Sequence, residues 1–122
     1  MNTHHKINYI ELPAYDLSAT QAFFETVFDW TFEAYGPEYL AFSDGVLDGG
    51  FYQSPLASKA DTGAALVVFY SANLEASEAA VRAAGGLVNT SIFEFPGGRR
   101  FHFLEPSGNQ FAVWSDHPNP PL

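Results

Sequence analysis

The chain has 122 residues, 47% of them hydrophobic and 12 of them Phe, which is enough for one domain with a real core and is not a disordered composition. Its 14 acidic against 5 basic side chains leave a net charge of −9 with no run of Lys or Arg, which argues against nucleic acid and anionic membranes as partners. The absence of cysteine excludes a disulfide, a thiolate nucleophile or a zinc-thiolate site, and no stretch has the apolar length of a signal peptide or a membrane span, so a cytoplasmic protein is expected.

In chain order, residues 7–12 (INYIEL) read as a strand that ends at Pro13. A helix follows, capped by Asp16 or Ser18, with Ser18 and Gln21 fitting a capping box and Phe23, Phe24, Val27 and Phe28 forming its apolar stripe. Three strand-like runs come next at 30–35, 39–43 and 47–53, divided by Gly-Pro and Asp-Gly turn signals. A polar link over 54–63 separates them from the second half. There, residues 65–72 predict a strand, Asn73 caps a helix through Ala84, and Gly85-Gly86 ends it. LVNTSIFEF, RRFHFLE and QFAVWS supply three more strands, and 117–122 form a Pro-rich tail.

Superposing Asp16-Leu17 on Asn73-Leu74 aligns Ile10 with Val67, Leu12 with Phe69 and Phe24 with Val81, a match of pattern at an offset of about 57 residues. The chain therefore reads as β-α-β-β-β written twice, as modules 7–53 and 64–116 of a single α+β domain spanning 1–122. Each module has one helix for one face of its sheet. The other faces are expected to meet around a cleft, and a site is expected inside that cup.

Three stretches, PAYDLSATQAFFETVFDW, SANLEASEAAVRAAGG and FLEPSGNQFAVW, occur in this order and spacing in a way that resembles the vicinal oxygen chelate superfamily, which includes glyoxalase I, extradiol dioxygenases and bleomycin-resistance proteins. The resemblance covers residues 7–116 and implies a cup-shaped, mostly antiparallel sheet made by two tandem βαβββ modules. It also implies a homodimer, with halves swapped between chains in some members. Metal-using members place one ligand on the first and one on the last strand of each half. Carried over, these positions fall on Tyr9, Leu66 and Ala112, with the remaining one in LDGGFYQ, where Asp48 is the strong candidate donor. Leu and Ala have no lone pair to offer a cation and a neutral Tyr is a poor ligand, so no metal cofactor is expected.

The same alignment turns Tyr9, Glu11, Leu66, Val68, Tyr70, Gln110, Ala112 and Trp114 into the cup, together with Arg100 and His102. Tyr9, Tyr70, Arg100, Gln110 and Trp114 are the candidate ligand-binding residues, with Arg100 suited to a carboxylate or phosphate and the rings to stacking. Glu11 and His102 are the candidate acid/base pair. A structural carboxylate facing Arg100, and core or dimer contacts for Tyr70 and Trp114, remain open alternatives. The resemblance to metal-free members implies binding or sequestration of a small organic ligand. The alternatives are a glyoxalase-like lyase or isomerase, a metal enzyme with ligands not recognised here, or a partner-binding module.

Overall fold

The computed structural model describes residues 2–117, so Met1 and most of the expected tail, 118–122, lie outside the described residues. Its elements run β1 (Tyr9–Ala14), α1 (Leu17–Phe28), β2 (Thr31–Ala34), β3 (Tyr39–Ser43), β4 (Asp48–Gln53), β5 (Val67–Tyr70), α2 (Leu74–Ala83), β6 (Leu87–Phe95), β7 (Gly98–Leu104) and β8 (Gln110–Ser115). The doubled β-α-β-β-β order is thus present. It folds as two four-stranded mixed sheets, β1-β4-β3-β2 (sheet A) and β5-β8-β7-β6 (sheet B), each with one parallel pair at the edge and two antiparallel pairs.

Local chemistry explains the boundaries. Asp16 accepts the Ala19 N–H at the start of α1, while the amide of Gln21 turns to Glu25 instead of closing a capping box with Ser18. Asn73 accepts the Ala76 N–H at the start of α2, and Gly85, at φ 92°, turns the chain out of it. The first strand does not stop at Pro13 but runs to Ala14, because β1 is an edge strand, where a missing N–H is tolerated. The strand expected at 65–72 is shorter, since only Val67–Tyr70 find partners in β8.

A single aromatic core joins the two sheets. Phe24 packs on Phe51 of sheet A at 5.7 Å between centroids and on Phe111 of sheet B at 5.2 Å. Phe28 stacks on Phe69 at 4.0 Å, and Phe23 meets Phe103 at 5.7 Å. Trp30 lies between Phe24 and Phe42, each 4.3 Å away. Apart from the half-buried Phe28 and Phe69, these rings are buried with Leu12, Leu74, Val81, Phe101 and Val113. Helix α1 therefore fills the space between the sheets, as burial of so much apolar area demands. The expectation of one cleft between the open faces of a single chain is corrected here: the helix-covered faces meet, and the open faces look away from each other.

The turn after β7 ties the modules polar group by polar group. Buried Glu105 accepts from Thr20 Oγ1 at 3.0 Å and from the Ser107 N–H at 2.8 Å. Asn109 donates to the Pro13 carbonyl at 2.6 Å and accepts from the Ser58 N–H at 2.7 Å, which anchors the 54–63 link. The Thr20–Glu105 and Pro13–Asn109 bonds join the halves, and the Ser107 N–H to Glu105 bond holds the turn itself.

Candidate functional site

On sheet A, strand alternation and register turn Tyr9, Glu11, Tyr39, Asp48, Gly50 and Tyr52 to the open face. Tyr39 Oη donates to Glu11 Oε2 at 2.8 Å and shares a 2.5 Å hydrogen bond with Tyr9 Oη. As Tyr39 gives its one proton to the carboxylate, Tyr9 is the donor to Tyr39, so a directed chain runs Tyr9 to Tyr39 to Glu11. Desolvation, then the bonds to Tyr9 and Glu11, raise the Tyr39 phenol well above its ordinary range. Gly50 makes this possible, because a Cβ there would come within 1.9 Å of Tyr39 Oη. Tyr39 and its glycine seat had no place among the sequence-derived candidates. The Tyr39/Ala41/Ser43 alternation was the available signal.

On sheet B, the register places Val68, Tyr70, Arg100, His102, Gln110, Ala112 and Trp114 on one open face, with Phe93 and Phe95 beside them on β6. Arg100 Nε donates to His102 Nε2 at 3.1 Å, and its guanidinium carbon lies 5.8 Å over the Phe95 ring. Burial first, then the adjacent Arg100 charge, lowers the His102 pKa, so the imidazole is neutral near pH 7 and acts as an acceptor toward Arg100. Phe93 meets His102 edge-on at 5.6 Å. The Gln110 side-chain oxygen accepts from the Ala60 N–H at 2.9 Å, and its amide nitrogen lies 3.4 Å from His102 Nδ1. Tyr70 meets Trp114 edge-on at 5.2 Å and donates to Asp116 at 2.5 Å.

Among the described residues Arg82 pairs with Glu78 and Arg99 with Glu75, while Arg100 has no carboxylate within ion-pair distance. A half-buried cation held by an imidazole and a ring keeps its terminal nitrogens available to an anion. Arg100 lines a recess of about 360 Å³ together with Val68, Phe95, Gly97 and Trp114.

Five of the seven sequence-derived candidates, Tyr70, Arg100, His102, Gln110 and Trp114, are thus brought onto one face, and two, Tyr9 and Glu11, onto the other. The Glu11–His102 pair is not formed within one chain. Glu11 takes its hydrogen bond from Tyr39, and the aromatic core stands between the two faces.

The structure also settles where the fourth metal position of the resemblance falls. Val68 pairs with Ala112 as Glu11 pairs with Gly50, so the β4 equivalent of Ala112 is Gly50 and not Asp48. Gly50, Leu66 and Ala112 offer no side-chain donor, and the Tyr9 phenol is engaged with Tyr39. Among the described residues no group of three or more His, Asp or Glu stands close enough to hold a metal ion. This donor set does not fit the metal centre that the resemblance implies.

The model of the Glyoxalase/Bleomycin resistance protein/Dioxygenase superfamily matches residues 6–113. Among curated proteins no relative is found. Solved structures share the fold at low identity. A fosfomycin resistance protein, FosX, from Listeria monocytogenes superposes with a TM-score of 0.76 at 15% identity over 93% of this chain and 94% of its own. A glyoxalase/bleomycin resistance protein/dioxygenase family enzyme from Burkholderia phytofirmans gives 0.74 at 17% identity over 90% and 98%. A lactoylglutathione lyase from Agrobacterium tumefaciens gives 0.69 at 20% identity over 93% and 96%.

Proposed function

The chain belongs to the glyoxalase/bleomycin resistance protein/dioxygenase superfamily, and on that premise we propose that it binds a small organic anion, without a metal, in a cup that two copies build together. The observation that carries this reading is Arg100, a cation with no carboxylate partner among the described residues, oriented by His102 and Phe95 beside the Trp114 ring. A few convergent polar groups in an aromatic recess are what a small-molecule site requires. Arg100 selects for a carboxylate or phosphonate, and Trp114 and Phe95 select for a flat or apolar body.

The dimer is supported by two features. Each open face leaves large apolar side chains in water, Tyr9 and Tyr52 on sheet A and Val68 and Tyr70 on sheet B. The faces also differ in charge: Glu11, Glu33 and Asp48 lie on sheet A, Arg100 on sheet B. A twofold axis that lays sheet A of one copy against sheet B of the other would match these charges twice. It would also bring Glu11 of one chain toward His102 of the other.

The test uses the Trp30→Phe protein, in which Trp114 is the remaining indole. Its fluorescence is followed as 3-phenylpropionate or its uncharged amide is added. The acid is expected to bind more tightly than the amide, and Arg100→Met to weaken the acid about tenfold or more, the worth of a charge-assisted hydrogen bond. Equal binding of acid and amide, or no effect of Arg100→Met, would overturn the reading.

The Tyr9-Tyr39-Glu11 chain favours a second reading, in which Glu11 takes a proton from the bound molecule while Tyr39 steadies the carboxylate. It expects conversion of the probe or a related acid that Glu11→Gln removes while binding at Arg100 persists. Conversion that survives Glu11→Gln would eliminate it.

A further inference from the structure

A second cavity lies in the joint between modules, along the β1 and β5 strands, and meets the Arg100 recess only at Val68. It measures about 320 Å³ and is lined by Ile10, Leu12, Trp30, Phe42, Leu47 and Phe69, among others. Leu12, Trp30 and Phe42 are core residues with at most 6% of their surface exposed, so the cavity reaches into the packed interior. Its mouth is framed by exposed Asp44 and Tyr70 and half-buried Leu47. Interiors pack densely, and an apolar cavity of roughly 150 Å³ already stays dry and takes up benzene in an engineered protein. A cleft of this size walled by rings is in the range of small-molecule pockets.

We propose that this cleft is a second binding site, for an uncharged or cationic aromatic or alicyclic molecule. The charge preference comes from Asp44, the one ionisable carboxylate in its lining. Asp44 Oδ1 accepts the Val46 and Leu47 N–H groups at 2.8 and 2.6 Å, which fixes the carboxylate at the rim. An anion entering the cleft would meet that carboxylate, while a cation or a hydroxyl donor would find an acceptor. The two sites therefore sort ligands oppositely, with anions at Arg100 and neutral or basic rings at Trp30.

The chain's two tryptophans separate the sites, since Trp30 lines this cleft and Trp114 the other recess. In the Trp114→Phe protein, energy transfer from Trp30 reports on N-phenyl-1-naphthylamine, an uncharged dye, and on its sulfonated relative 8-anilinonaphthalene-1-sulfonate. The uncharged dye is expected to bind one per chain and about tenfold more tightly than the sulfonate. Leu47→Phe at the mouth and, independently, Val67→Phe in the wall should abolish that signal, and Arg100→Met should leave it unchanged. The proposal is overturned by dye binding that survives both cleft-filling variants, by loss of the signal in Arg100→Met, or by no binding at all. It is also overturned if the signal falls as protein concentration drives self-association, because a second copy would then be the occupant. None of these results depends on whether 3-phenylpropionate binds at Arg100.

Discussion

Glu105 is the carboxylate whose surroundings matter most for stability. It is 2% exposed, and burial raises its pKa to about 7 against the hydrogen bonds from Ser107, Thr20 and Asn109 that favour the charge. A folded pKa above the unfolded value means that the folded state binds the proton more tightly. The stabilisation is complete below the unfolded pKa and is lost as pH rises through about 7. Unfolding free energy should therefore rise from pH 8 to pH 5 by on the order of 3 kcal/mol, read as a higher melting temperature. Glu105→Gln, which carries a neutral amide in the same place, should flatten that slope. A slope unchanged in Glu105→Gln would show that other groups set it. At Tyr39 the expectation concerns the phenol. Absorbance titration at alkaline pH should show one tyrosine ionising later than the rest, and Gly50→Ala, whose Cβ displaces Tyr39, should return it toward the ordinary range. Arg100 and His102 were legible in the sequence because two-residue alternation with Phe101 and Phe103 put them on one face. The alternation of Tyr39, Ala41 and Ser43 marks a face, but the role of Tyr39 depends on a missing side chain on the neighbouring strand, and the sequence of one strand does not announce that fit.

Helix and strand assignments followed from chemistry that is local in sequence. Asn73 caps α2 through a single side-chain bond to Ala76, so Asn73→Ala should cost about 1 kcal/mol in denaturant unfolding. A change well below that would mean that the Ser71 hydroxyl, which accepts from the Asn73 N–H and bonds Ser77, holds the end by itself. The Ser18/Gln21 capping box failed because Asp16 lies at the cap and accepts the Ala19 N–H. Strand β6 was visible as a strand but not as a bent one. Register shifts between Val88 and Thr90 and between Thr90 and Phe93 bring both Phe93 and Phe95 to the site. Bulges arise from how two strands accommodate each other, so the sequence of one strand does not announce them.

At the scale of the whole molecule, the doubled order of elements could be read from periodicity and turn residues, but the way the modules face each other could not. Apolar residues at Ile10, Leu12, Val67 and Phe69 mark a covered face without saying whether each sheet is covered by its own helix alone or also by the other module. The rings of α1 decide it by touching both sheets. From this comes the expectation of association: sedimentation should show a dimer that dissociates on dilution, and Glu11→Lys, which sets like charges together across the proposed interface, should favour the monomer. A monomer at all concentrations would leave the two open faces as separate surfaces. The shared core also bears on how such a chain can recombine with its kin. A chimera that takes one repeat from a homologue and joins it in the 54–63 link would inherit half of an interlocking aromatic set. Exchange would succeed only where Phe23, Phe24 and Phe28 travel together with Phe69, Phe103 and Phe111. The duplication is visible in the pattern, yet its two copies have become heritable only as a pair.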